Sequence, residues 1–487
     1  MKYKQKMKTM PLLQAMLKYR EQGVYPFHTP GHKGGRGMAQ LLRDELGAAV
    51  AMDVSLMSEL DDIHDPRSYI NECQKLAAEL YGSDACFWAV NGTTQAIHAM
   101  LMTALLPGEK ILVPRNAHRS VAGALILGGL KAVFIYPEYA ETFGINTQVT
   151  AANVAAALDK DKEIKAVLLT SPNYYGIAAD VKAIAEVCHA RDAVLLVDEA
   201  HGAHLGFSDK LPPSAMQCGA DACAQSTHKL LGAMTQCSML HVRGARLDVR
   251  RAADVMSMLT TTSPNYLLMA SLDAAAAQLE ADGLQMAEAG LNAARKLRQL
   301  CSRFAGVKVL QETDVAPYKL DVTKVTVNVA ELGYSGVEVG EMLRSAGIAV
   351  ELTDAQNVLF LVTYADSNRD YDEALQKIAS VLEFVSEHEK TVSKTYGKQW
   401  KLPAARSVLE LREVFYGAKE SVPLALSAGR ICAESVSFYP PGIPVLLPGE
   451  IISEEIISYC EQMKSLGLPV SGPADGKLEE IRTVLQA

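Results

Sequence analysis

The stretch Ser226-Thr227-His228-Lys229-Leu230-Leu231-Gly232 sets one lysine between polar residues and an apolar run. Burying an unpaired ammonium in such surroundings is costly. A lysine kept there is either solvated at a strand end or used covalently, as a Schiff base with a carbonyl. Upstream, Val194-Leu195-Leu196-Val197-Asp198-Glu199-Ala200-His201-Gly202 is a short apolar run that ends in a carboxylate. The separation of Asp198 from Lys229 is that of one strand–helix–strand unit. An acid and a lysine at neighbouring strand ends suit pyridoxal phosphate (PLP). The lysine takes the aldehyde, and the acid holds the proton on the pyridine nitrogen.

Other stretches could serve the same chemistry or be ordinary structure. In Val90-Asn91-Gly92-Thr93-Thr94-Gln95-Ala96, Asn-Gly makes a turn and two threonines open a helix. Free N–H groups and the helix dipole there favour a phosphate, but threonine is also a common N-cap. The Gly-Lys-Ser/Thr ending of a P-loop is missing. His118 follows an apolar run and could cap a helix, lie exposed, or stack its ring on an aromatic cofactor. Asp198, His201 and His204 permit a metal-ligand reading. Without a clear helix, that spacing argues less than a helical HExxH does. Asn173-Tyr174-Tyr175-Gly176 reads as a turn after a strand, and Thr260-Thr261-Thr262-Ser263-Pro264 as a hydroxyl cluster or N-cap before a helix.

The elements that must position these residues alternate. Apolar runs at 85–90, 110–114, 132–136, 165–170, 193–197, 221–226 and 237–242 read as buried strands. Helical spacing at 93–106, 119–128, 150–159 and 181–190 separates several of them. Such alternation predicts an α/β fold with a mostly parallel sheet, whose ligands lie at the carboxyl ends of the strands. Before this region, Pro11 to Glu21 reads as a helix, His28 to Gly35 and Glu59 to Pro66 as loops, and Ser68 to Leu80 as a helix. After it come one or two long helices over 266–304 and a smaller α/β segment. That segment has strands at 324–329 and 358–362 and helices at 336–345 and 372–386. Glu387 to Lys401 is a charged candidate linker. In the last part, Tyr439-Pro440-Pro441-Gly442 cannot be strand or helix interior.

Composition excludes several classes. The chain has 487 residues, 49% hydrophobic and 21% charged, an ordinary globular balance with room for several domains. A net charge of -9 gives no basic footprint for nucleic acid. Nine cysteines, an odd count with no CxxC pair, fit free thiols in a reducing compartment. The basic start Met1-Lys2-Tyr3-Lys4 is not followed by an apolar h-region, so no secretory signal is expected. No stretch of about twenty apolar residues predicts a membrane span. The expectation is a cytoplasmic enzyme.

Taken together, HTPGHKGG, ELDDIHDP, NGTT, RNAHRS, SPNYYG, VDEAHG, STHKLLGAMTQCSML, LTTTSPNY and YPPGIPVLLPGE closely resemble the Orn/Lys/Arg decarboxylase family of fold type I PLP enzymes. The motifs run in the family's order from about residue 28 to 450. The chain is similar to the short bacterial biosynthetic form, with no room for the N-terminal wing of the large acid-induced members.

The resemblance implies an aspartate aminotransferase-like fold and four segments: an N-terminal segment over 1–65, a large PLP-binding domain over 66–300, a small α/β domain over 301–390 and a C-terminal decarboxylase domain over 391–487. It implies that Lys229 carries the PLP Schiff base, Asp198 pairs with the pyridinium nitrogen and His118 stacks on the ring. Thr93, Thr94, Gln95, Ser226 and His228 would lie at the phosphate, and Gln95 stands where the family usually has a small hydroxyl residue. His201 would touch the cofactor or substrate, and either it or Lys229 would protonate the α-carbon. Thr261 would reach a phosphate in the neighbouring subunit of a homodimer.

The implied reaction is decarboxylation of a basic amino acid in polyamine biosynthesis. Arginine is the first choice; lysine and ornithine stay open. Glu434, Asp354 and Glu351 are candidates to hold the substrate's remote cation, and each could equally be an ordinary acid. An aminotransferase or aldolase on the same scaffold, a non-catalytic relative and a metal hydrolase built on Asp198 and His201 are the alternatives.

Overall fold

A computed structural model of the chain describes residues 10–390, 401–438 and 442–485. The basic start, most of the expected linker and Tyr439-Pro440-Pro441 lie outside the described residues. The chain divides into two compact units. The first takes residues up to 104 with 194–209 and 213–286; the second takes 105–193, 210–212 and 287–487. Both draw on 66–300, the span expected for the large domain.

In the first unit four strands lie in the order Ala85–Ala89, Ser238–Val242, Ala222–Gln225, Val194–Asp198. The first two pairings are antiparallel; the last is parallel, with Asp198 opposite Ala224. Every residue of Ser238–Val242 and Ala222–Gln225 is buried, so these strands read as continuous runs rather than as alternation. Helices Tyr69–Tyr81, Gly92–Ala104 and Val249–Leu259 belong to this unit. Asp248 caps the last of these by accepting the Arg250 and Arg251 N–H groups. Buried Asp273 ties the N-terminal helix Pro11–Glu21 in place, accepting the Leu13 N–H at 3.1 Å and the Cys73 thiol at 3.2 Å.

In the second unit the strands Ile164–Thr170, Lys110–Pro114 and Lys131–Ile135 pair in parallel in that order. The helices Arg119–Gly128, Ala151–Lys160 and Val181–His189 are N-capped by His118, Thr150 and Asp180. A four-stranded antiparallel sheet follows, in the order Lys308–Val309, Lys324–Asn328, Asn357–Leu361, Leu352–Thr353. Helices Gly336–Ser345 and Arg369–Glu387 give it Val339, Leu343, Ile378 and Leu382 to bury against Val325, Val327 and Val358. The C-terminal part packs Ile456 and Cys460 of the helix Glu454–Ser465 with Val436, Leu446 and Ile481 of three short strands.

All seven runs expected as strands are strands, each within one residue of the expected ends. The long helix is a single one, Tyr266–Cys301. The two-residue strands Tyr139–Ala140, Ile145–Asn146 and Ile177–Ala178 are too short to leave a periodic signal, and the sequence reading does not contain them.

Candidate active site

Two parallel strands of the first unit end side by side, and the chemistry-bearing residues follow their ends. Val194–Asp198 ends in Asp198 and leads to His201; Ala222–Gln225 leads through Ser226 into the short helix Thr227–Leu230. Lys229 Nζ lies 3.0 Å from His201 Nε2. His201 is 4% exposed and Asp198 2%. Burial pushes the Asp198 carboxyl up to about 6, while the Lys229 charge and the Ala200 N–H, at 3.1 Å from Oδ1, pull it back down. Glu199, the next residue, does other work. Its two oxygens accept the Ala215 N–H and a Gln225 Nε2–H, both at 2.7 Å, and burial raises it to about 7.

A hydroxyl cluster lies at the start of the helix Gly92–Ala104. Thr93 Oγ1 bonds Ser226 Oγ and, at 2.7 Å, Ser238 Oγ. Gly92 has φ +74°, a left-handed conformation that side chains disfavour, so the turn requires glycine. Thr94, in the first helical turn, is exposed. Gln95 is engaged at both ends: Oε1 accepts the Asn91 N–H at 3.2 Å, and Nε2 donates to Thr260 Oγ1 at 2.6 Å. His228 donates from Nδ1 to the Cys237 carbonyl at 2.8 Å, and burial lowers its pKa. Thr261 is exposed; its carbonyl takes His64 Nε2 at 3.1 Å.

The donor set fits PLP: one amine, one buried carboxyl, and hydroxyls at a helix N-terminus where N–H groups and dipole favour a phosphate. Among the described residues, no group of three or more His, Cys, Asp or Glu side chains is arranged to hold a metal ion.

The second unit carries the remaining expected residues. His118 is the N-cap of Arg119–Gly128, its Nδ1 accepting the Ser120 N–H at 3.2 Å. A cavity is lined by Asn116, Tyr139, Asn173, Tyr175, Asp354 and Tyr459, among others. Asn173 is a turn organiser. Its Oδ1 accepts the Tyr175 and Ile177 N–H groups, and its Nδ2 donates to the Asn146 carbonyl at 3.0 Å. Gly176 closes that turn at φ +85°, where a Cβ would come within 2.8 Å of the Asp321 carbonyl oxygen.

Two of the acids considered for the substrate cation are committed elsewhere. Asp354 accepts the Tyr175 hydroxyl at 2.7 Å, the Gln356 and Asn357 N–H groups at 2.8 Å, and Asn357 Nδ2. Glu434 accepts the Ala474 and Arg482 N–H groups, one on each oxygen. Glu351 is exposed.

Sequence reasoning missed two features. Ser238 joins the hydroxyl cluster from an all-buried strand, where nothing but its type marks it. Arg115 and Glu450, both 1% exposed at the side chain, form a forked ion pair with N···O distances of 3.2 and 2.8 Å. Arg115 also donates to the Pro444 and Val445 carbonyls at 2.6 and 3.1 Å. Both residues stood in quoted motifs, but only the fold pairs them. Arg115→Met leaves a buried carboxylate without its cation, an expected loss of about 3–5 kcal/mol; Arg115→Met with Glu450→Leu should recover most of it. Urea denaturation of the three proteins checks this, and a double variant no more stable than the single one would contradict it.

The model of the Orn/Lys/Arg decarboxylase major domain matches residues 10–318, and that of the family's C-terminal domain matches 393–472. The chain belongs to the Orn/Lys/Arg decarboxylase family. This Orn/Lys/Arg decarboxylase is 40% identical to the arginine decarboxylase of Bacillus subtilis (strain 168) over 479 residues, 97% of each chain. It is also 40% identical to that of Halalkalibacterium halodurans, over 97% of each chain. Among solved structures, the lysine decarboxylase of Francisella novicida superposes with a TM-score of 0.84 at 23% identity, covering 98% of this chain and 81% of that one. The expected fold is therefore present in this Orn/Lys/Arg decarboxylase. None of its described helices is long and apolar enough to cross a membrane.

Proposed function

We infer that this chain is a PLP-dependent arginine decarboxylase, converting L-arginine and a proton to agmatine and carbon dioxide. The observation that carries the reading is the Lys229–His201 pair at 3.0 Å beside buried Asp198, in a chain of this family. Full-length similarity to arginine decarboxylases supports arginine over lysine and ornithine.

Lys229 is the amine that would tether the cofactor aldehyde. Asp198 would hold the proton on the ring nitrogen, and above about pH 6 it is the anion that this task needs. His118 would stack on the ring. Thr93, Thr94, Ser226 and His228 would lie at the phosphate, with Ser238 completing the hydroxyl cluster. Gln95, already bonded to Asn91 and Thr260, would brace that turn. Thr261, exposed on this chain, would serve a phosphate in a second subunit of a homodimer. When bound, the cofactor supplies the electron sink that takes the pair released as the α-carboxylate leaves. The α-carbon then needs a proton, and Lys229 Nζ and His201 Nε2, in hydrogen-bond reach of each other, are the groups that would deliver it. For the remote cation, the acceptor inventory disfavours Asp354 and Glu434, whose oxygens already hold tyrosine, asparagine or backbone donors. Glu351 keeps an exposed carboxylate for that role. A cytoplasmic place in polyamine synthesis goes with this product.

The test is to incubate the PLP-loaded protein separately with arginine, lysine and ornithine and to quantify carbon dioxide. Release from arginine, with a visible absorption band from the bound cofactor, is the expected result. Release only from lysine or ornithine overturns the substrate, and a colourless protein active without PLP overturns the cofactor.

A further inference from the structure

A cavity in the second unit, far along the sequence from the motifs above, presents two guanidinium groups and no carboxylate. It is lined by Arg295, Arg298, Gln299, Ser302 and Gln311, together with Leu291 and Val322. Arg298 is 9% exposed. Its Nη2 donates to the Leu310 carbonyl and to Gln311 Oε1, the latter at 3.1 Å, while its Nη1 is buried without a hydrogen-bond partner.

No acid lies within ion-pair distance of Arg298 among the described residues. Asp314 and Asp321 act on it only through space. Asp314 accepts the Gln311 N–H at 2.7 Å, and Asp321 accepts the Thr323 N–H at 3.0 Å. Burial pulls the Arg298 pKa down, as expected for a cation removed from water without a counter-ion. Arg295, one helical turn back, stands exposed with Nη1 held by Asn292 Oδ1 at 2.8 Å. A buried guanidinium that lacks an anion is costly to keep, and a planar fork of N–H donors matches an oxyanion.

We propose that this cavity is an oxyanion site, taking the phosphate or carboxylate group of a small molecule on Arg298 with Arg295 at its mouth. Gln299 and Gln311 supply neutral amide N–H donors around the anion, while the Ser302 hydroxyl donates to the Arg298 carbonyl at 2.8 Å and only lines the wall. The site is independent of the decarboxylase reading, because every residue in it lies between 291 and 322.

The probe is inorganic phosphate, with malonate as the carboxylate arm and chloride at matched ionic strength as the control. Thermal midpoints are measured on the PLP-loaded protein, so that the phosphate group of bound PLP competes for the hydroxyl cluster at Thr93. Phosphate or malonate at about ten times its dissociation constant should raise the midpoint by a few degrees over chloride. The shift should vanish in Arg298→Met and shrink in Arg295→Ala, an exposed position whose variant is expected to fold normally. A shift with malonate alone keeps the site and makes its ligand a carboxylate. Equal midpoints in all three salts, or a shift that survives both substitutions, overturn the proposal. If Arg298→Met does not fold, Arg295→Ala and an anomalous-density search for selenate between the two guanidinium groups decide the matter. Selenate bound elsewhere, with none at this cavity, counts against it.

Discussion

Lys229→Ala should abolish carbon dioxide release from arginine, with turnover falling by more than about 10⁴-fold. The loss has three sources. The amine that would tether the cofactor is gone, and so is the group within 3.0 Å of His201 Nε2 that shares a proton with it. A third effect is electrostatic. The Lys229 charge opposes the burial that raises Asp198, so its removal drives the carboxyl further toward its neutral form. The fold should not suffer. Lys229 is only partly buried, its neighbour Leu230 supplies the packing, and alanine is well tolerated in a helix. The measurement pairs product release with the visible band and the thermal midpoint. Turnover above about one per cent of wild type, at an unchanged midpoint, would remove Lys229 from the chemistry.

Asp198→Asn should separate stability from activity. Burial raises the folded-state carboxyl from its usual value near 4 to about 6. A carboxyl whose pKa rises on folding favours the folded state while it is neutral in both states, below about pH 4. That contribution is lost as the pH rises through about 6, and cofactor-free wild type carries the full cost at pH 7. Asparagine cannot ionise. Between pH 4 and 7 the cofactor-free variant should therefore gain on the order of 1–3 kcal/mol relative to wild type. Its turnover should fall by about 10²- to 10⁴-fold, because a neutral amide cannot hold a proton on the ring nitrogen. Wild-type affinity for PLP should drop about tenfold per unit below pH 6, and the variant's should not follow. Denaturation curves and PLP titrations at several pH values read both effects. A variant whose stability relative to wild type is independent of pH would mean that burial does not raise the Asp198 carboxyl.

Several strands and turns owe their legibility to local chemistry. Fully buried strands such as Val194–Asp198 and Ile164–Thr170 are apolar runs of strand length ended by polar residues, and that pattern survives without any tertiary context. Asn91-Gly92 and Asn173 to Gly176 announce turns because glycine alone takes the left-handed backbone cheaply. What Asn173 does was not legible: both ends of its amide are spent on backbone groups, some of them in the hairpin near residue 146. The same holds for Asp354 and Glu434. A sequence offers an acid; only coordinates count how many donors already point at its oxygens.

The sequence alone determined the family and the strands, and it proposed Lys229 as the amine and Asp198 as the acid, since each motif and each strand depends on residue types within a few positions of one another. Tertiary structure decided the partnerships. It brought Lys229 to His201, Thr93 to Ser226 and Ser238, and Arg115 to Glu450 across 335 residues. It also left Arg298 buried without an anion. The physical reason is that burial and pairing set the energy of a charge, and neither is a property of the local chain.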